Sequence, residues 1–217
     1  LLLGVILTFH SSAQRYQIDQ YNLRDGLPQS QVSSLLQDHR GFLWVGTQGG
    51  GLAKFNGTSF EVINSGDGLP GNSITALIAG KEGNLFIGTD NGLCSYDGRG
   101  VLTDTTQAHQ LRIEALYLSE NELFVATNNG LFLQQADSIS APWEVLLPEE
   151  TIFDVLVQNN VLYACSDKGV YMWSADRKQL DLLRFGSNTY CNKFIVTPSN
   201  EILVGTYGNG VLRIDKD

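Results

Sequence analysis

Few side chains in this 217-residue chain have the chemistry for catalysis or metal binding, and those few are scattered. None of the three histidines, His10, His39 and His109, pairs with another at metal-ligand spacing. Asp38-His39-Arg40 puts reactive types side by side, yet Gly41 follows and the run reads as a solvated turn. Asp25-Gly26 and Asp67-Gly68 likewise read as turn formers before they read as carboxylate ligands. Asn56-Gly57-Thr58 fits a glycosylation sequon but is more simply a hairpin turn. The chain contains no Gly-x-Ser-x-Gly elbow, phosphate loop or Asp-rich calcium loop. No two carboxylates can be assigned acid and base roles. This inventory points to a chain that binds and reports, with no catalytic residues, no metal and no cofactor.

What the sequence does contain is a repeated phrase. Leu43-Trp44-Val45-Gly46-Thr47 recurs as Leu85-Phe86-Ile87-Gly88-Thr89, Leu123-Phe124-Val125-Ala126-Thr127, Leu162-Tyr163-Ala164-Cys165-Ser166 and Ile202-Leu203-Val204-Gly205-Thr206. Its second position falls at 44, 86, 124, 163 and 203, which gives steps of 42, 38, 39 and 40 residues. A period of about 40, built from short apolar runs and Gly-rich turns, is the signature of a propeller blade. One blade cannot bury its own faces, so neighbours must stack against it. The expected fold is all-β, a β-propeller of four-stranded blades. About five blades are expected, over 29–66, 71–106, 110–148, 149–186 and 187–217.

Each repeat divides into four predicted strands. The first, at 32–36, 74–78, 113–117, 152–156 and 191–195, is apolar nearly throughout, as suits a strand covered on both faces. The repeated phrase is the second strand, and a glycine turn leads to a third at 51–55, 92–96, 130–133, 169–173 and 210–214. Fourth strands, at 59–63, 101–103, 143–147 and 180–183, are weaker, as expected at a solvent-facing edge. Repeat five has no fourth strand. Laying Asp25-Gly26-Leu27-Pro28 on Asp67-Gly68-Leu69-Pro70 places 18–22 over 60–64. Residues 16–22 are therefore expected to be a displaced outer strand that completes the last blade of a closed ring. Trp44, Phe86, Phe124 and Tyr163 share one strand position and are expected to pack between blades rather than offer a ligand platform.

Alternating strand direction puts the turns between second and third strands on the same face as the Asp-Gly-Leu-Pro linkers. Loops on a rigid scaffold commonly carry recognition. Gln48, Asp90, Asn128, Asp167 and Tyr207 each follow the phrase's Thr or Ser, and they are the candidate ligand-binding residues on that rim. Amides, carboxylates and an aromatic ring suit a sugar. The competing reading is that these residues only close turns.

The ends and the composition bound the rest. Leu1 to Phe9 is an apolar run followed by small residues at Ser11 and Ala13, which reads as a signal peptide over 1–13. It lacks an initiator Met and a basic start, so the sequence is expected to begin inside that signal and to be a fragment of a larger ring. The expected compartment is periplasmic or secreted. A net charge of −9 with no Lys or Arg cluster argues against nucleic acid as a partner. Cys94, Cys165 and Cys191 fall in strands of three repeats at unlike positions, and the sequence leaves open whether Cys165 and Cys191 pair.

Leu23-Arg24-Asp25-Gly26-Leu27-Pro28, then Val32, Asp38, Gly41 to Thr47 and Gly51-Leu52, closely resemble the two-component regulator propeller repeat. Asp67 to Pro70, Asn72 to Ile74, Gly83 to Thr89 and Asn91 to Leu93 carry the same pattern. Repeats three to five lack the Asp-Gly-Leu-Pro linker, and repeat four has Cys-Ser where others have Gly-Thr. The resemblance implies a seven-bladed propeller, part of the periplasmic sensor of a membrane-bound hybrid histidine kinase that responds to oligosaccharides. On that reading the membrane and kinase parts lie downstream, and a homodimer through the propeller is an expected partner. The alternatives are a secreted interaction scaffold and a propeller lyase or glycosidase.

Overall fold

The computed structural model describes residues 17–104, 110–137, 141–174, 179–184 and 190–214. The expected signal peptide, His10 and His109 lie outside them. The described strands form five antiparallel sheets that follow chain order. Blade one contains β1 (Val32–Gln37), β2 (Leu43–Thr47), β3 (Leu52–Phe55) and β4 (Phe60–Ile63). Blade two contains β5 (Ile74–Ala79), β6 (Leu85–Thr89), β7 (Gly92–Tyr96) and β8 (Val101–Thr103). Blade three contains β9 (Ile113–Ser119), β10 (Glu122–Thr127), β11 (Gly130–Gln135) and β12 (Glu144–Pro148). Blade four contains β13 (Ile152–Gln158), β14 (Val161–Ser166), β15 (Gly169–Trp173) and β16 (Leu180–Leu183). Blade five has three strands, β17 (Tyr190–Val196), β18 (Ile202–Tyr207) and β19 (Val211–Ile214).

First strands of successive blades pack together in the order β1, β5, β9, β13, β17, and each second strand reaches the next blade's first. Outer strands of neighbouring blades make no comparable contact. Each blade is therefore a wedge with its narrow edge on a shared axis, and the architecture is a propeller. The core lies between the wedges. Trp44, Phe86, Phe124 and Tyr163 are at most 3% exposed, and each belongs to the cluster that joins its blade to the next. Full burial of such side chains contributes about 1.5–3 kcal/mol each.

The phrase's glycine has a steric reason. A Cβ on Gly46 would lie 2.7 Å from Ile74 Cγ2, and one on Gly88 would lie 2.6 Å from Ile113 Cγ2. Glycine lets the second strand approach the first residue of the neighbouring blade. In repeat four the same two positions hold Cys165 and Cys191, whose Cα atoms are 4.9 Å apart and whose sulfurs are bonded. The positions looked unlike along the sequence, but across the blade interface they are the Gly–Ile contact of other blades made covalent. Cys94 is the free, buried thiol, and burial pushes its pKa up to about 12.

Two expectations about the ends change. First strands were expected to be covered on both faces, and β5, β9 and β13 are flanked on both sides. β1 and β17 stand at the two ends of the row, so Leu35 and Ile195 are each 63% exposed. The displaced strand expected over 16–22 is also not seen, since residues 17–22 form no strand. A strand needs a partner edge, and none of the described strands pairs with this segment. Its packing nevertheless follows the repeat. Tyr21 meets Phe55 and Phe60 at ring distances of 4.8 and 5.9 Å, as Ile63 packs with Tyr96 and Val101 one blade on.

Candidate functional site at the axial rim

Three local devices shape the rim. The first is the linker. Asn64 Oδ1 accepts from the Gly66 amide at 2.7 Å and Asp67 Oδ2 accepts from the Asn64 amide at 2.9 Å. Gly68 then turns at φ 107°, a left-handed conformation that favours glycine, and Leu69 drops into the core. Asn22, Asp25, Gly26 and Leu27 repeat the device. Both aspartates of the Asp-Gly pairs are thus spent on capping.

The second device is a hydroxyl clamp across the β-turn. Thr47, Thr89, Thr127, Ser166 and Thr206 donate to the carbonyls of Gly51, Gly92, Gly130, Gly169 and Gly210 at 2.7–3.0 Å. The clamp fixes the residue that follows, which is the candidate position. The amides of Gln48, Asp90 and Asn128 then donate back to the carbonyls of Gln31, Ser73 and Arg112.

The third device is a bulge in every first strand. Pairing slips by one residue at Ser33, Thr75, Glu114, Phe153 and Asn192, each opposite the second strand of its own blade. A bulge re-aims the extra side chain and often sits beside functional sites. Ser33, Thr75 and Glu114 converge, with Gln48, Ser73 and Arg112, on a polar cleft of about 210 Å³ spanning blades one to three.

Arg112 Nε donates to Glu114 Oε1 at 2.9 Å. Asn128 Oδ1 accepts from the Arg112 amide at 3.1 Å, so Asn128 anchors the arginine's backbone from behind. Ser33 Oγ shares its proton between the Gly46 carbonyl at 3.0 Å and the Ile74 carbonyl at 2.5 Å. Thr75 Oγ1 is buried with no hydrogen-bond partner. The cleft therefore offers one guanidinium, one carboxylate, hydroxyls and an amide, which suits hydrogen-bonded recognition of a polar ligand.

Of the five candidate residues, Gln48 stands in the cleft wall and Asn128 supports it. Asp90 meets the cleft only through its amide bond to Ser73. Asp167 and Tyr207 are exposed on blades four and five, away from it. Sequence reasoning missed Arg112 and the bulge residues. The available signal was a polar residue recurring second in an otherwise apolar strand, at Ser33, Thr75 and Glu114.

At the opposite end of blade one, Asp38 is structural. Its carboxylate accepts from the Arg40 amide at 2.9 Å, the Phe42 amide at 3.0 Å and the Trp44 indole at 2.9 Å. Burial alone would raise its pKa, but those bonds hold it below the ordinary value. Among the described residues, no cluster of three or more His, Cys, Asp or Glu could hold a metal ion. No helix among them is long and apolar enough to cross a membrane.

The family description "two component regulator propeller" matches residues 26–49 and 68–91. Each match runs from the linker glycine through the bulged first strand to the clamp turn. These segments are two component regulator propeller repeats. No curated protein sequence matches the chain. Among solved structures, it is similar to the extracellular domain of a protein assigned as a hybrid two component system, BT3049 from B. thetaiotaomicron. That pair has a TM-score of 0.78 at 19% identity and covers 92% of this chain and 30% of the other. The extracellular domain of BT4673 from the same organism, assigned as a one component system, has a TM-score of 0.69 at 23% identity, covering 85% and 26%. An ancestral GH74 enzyme has a TM-score of 0.64 at 14% identity, covering 85% and 31%. At these identities the likeness establishes the propeller fold, and the chain spans about a third or less of each neighbour's length.

Proposed function

We propose that this propeller is an extracytoplasmic binding and sensing domain of a two-component signalling protein. A saccharide-like ligand seated in the axial cleft is its input. The observation that carries this reading is the convergence of the bulge residues Ser33 and Thr75, Gln48 and the Arg112–Glu114 pair on one cleft at the rim. The repeat match at 26–49 and 68–91 and the extracellular neighbours support the sensing context. Binding proceeds without turnover on this reading. Glycoside hydrolysis ordinarily uses two carboxylates, and the cleft wall supplies Glu114 alone, tied to Arg112.

A sensor transmits only if its ligand binds one conformation better than another. A cleft spanning three blades suits that requirement, because a ligand bridging blades one and three would respond to a change in their relative tilt. Dimerisation through the propeller is the proposed route by which that change is passed on. Titration calorimetry of the full chain against a panel of oligosaccharides tests the reading. Saturable binding that Gln48→Ala weakens would support it, and silence across the panel would remove the saccharide input.

A further inference from the structure

Resting on that reading, we propose that the sugar taken by the axial cleft is acidic, and that Arg112 receives its carboxylate. Glu114 Oε1 occupies Nε of Arg112 at 2.9 Å, and among the described residues no hydrogen bond is made by Nη1 or Nη2. One carboxylate thus holds the planar fork in place and leaves its outer edge open. That edge matches a second carboxylate in a bidentate, charge-assisted geometry, which a neutral sugar does not use.

The backbone is built to hold this arginine. Asn128 exchanges hydrogen bonds with both the amide and the carbonyl of Arg112, each at 3.1 Å. The rest of the wall suits the ring hydroxyls of a sugar. Ser33 has committed its proton to two carbonyls, so its oxygen remains an acceptor. Ser73 and Gln48 complete the polar wall. Glu114, 21% exposed at the side chain, also repels anions directed away from Arg112, so the preference is for a single carboxylate at one place.

The net charge of −9 opposes anion capture at long range, so the preference must come from this contact. Long-range repulsion is screened by salt, whereas a direct contact with Arg112, whose side chain is 49% exposed, acts at short range. The test is calorimetry of the full chain with three matched probes: a galacturonic acid oligosaccharide, its methyl ester and the corresponding galactose oligosaccharide. The acidic form is expected to bind up to about fivefold more tightly than the ester, as a charged pair at a half-exposed guanidinium provides. Arg112→Gln should abolish that difference, and Arg112→Lys should keep part of it. Equal or better binding of the ester or the neutral sugar would overturn the carboxylate assignment and leave the saccharide reading standing. Absence of binding by all three, with binding by other members of the oligosaccharide panel, would overturn the carboxylate assignment alone, and silence across that whole panel would sink both. If Arg112→Gln does not fold by thermal melting, the comparison of the three probes on the unmodified chain decides alone.

Discussion

Replacing Cys165 by Gly and Cys191 by Ile would install, between blades four and five, the pair found as Gly46–Ile74 and Gly88–Ile113. The exchange keeps the packing logic of the interface and removes only the covalent link. That link closes a segment with a sequence separation of 26. The chain-entropy relation for such a loop gives about 12 cal/mol/K, or about 3.5 kcal/mol at 25 °C. For a chain of this size each kcal/mol moves the melting temperature by about 2–4 °C, so the variant should melt about 7–14 °C below the oxidised protein. Calorimetry of oxidised protein, fully reduced protein and variant would measure it, with thiols counted by alkylation after denaturation. Reduced protein and variant should melt close together, because both lack the cross-link. A variant that melts with the oxidised protein would refute the loop-closure argument. So would two alkylatable thiols at Cys165 and Cys191 in the native oxidised chain.

Other residues give independent checks. Asp38→Ala strands the Trp44 indole and two amides, and should cost about 1–3 kcal/mol in denaturant unfolding at neutral pH. Because folded Asp38 titrates below its ordinary value, its contribution is complete above the unfolded value and fades as pH falls through the folded one. The gap between protein and variant should therefore close below about pH 4, and a gap that widens there would count against the assignment. Thr127→Val removes the clamp to Gly130 and the Asn129 amide's acceptor, and should cost about 1–2 kcal/mol with local loss of amide protection around 128–130. Asp154 is 8% exposed at the side chain and accepts from Lys193 Nζ and the Phe194 amide, both at 2.8 Å. Asp154→Ala should lower stability by about 1–3 kcal/mol and loosen blade five first, read as faster exchange over 190–196.

The blades were legible because their spacing is set by packing. Trp44, Phe86, Phe124 and Tyr163 must each reach the neighbouring wedge, and Gly46 and Gly88 must each make room for an isoleucine, so the phrase cannot drift. The alignment of 18–22 with 60–64 was visible through the shared Asp-Gly-Leu-Pro linker, although no strand forms over 17–22. The bulges were hidden because a nearly continuous apolar run does not reveal where its alternation slips by one residue. Ser33, Thr75 and Glu114 are polar inside such runs, and only the register shows that they share an aim. The disulfide was hidden for a different reason. Its halves occupy different strands of consecutive repeats, so overlaying repeats separates them, while the stacking of blades brings them together. Among the candidate turn residues the clamp places Gln48 in the cleft wall, while the amides of Gln48, Asp90 and Asn128 alike are spent on closing their turns.

The claim that matters most is that recognition happens at the bulged starts of the first strands. Amide hydrogen exchange of the full chain, with and without the tightest-binding saccharide, reads this directly. Protection should rise at 31–34, 47–49, 73–76 and 111–114, and leave the outer strands at 60–63 and 180–183 unchanged. Protection confined to the outer strands or to the turn at 38–42 would contradict it.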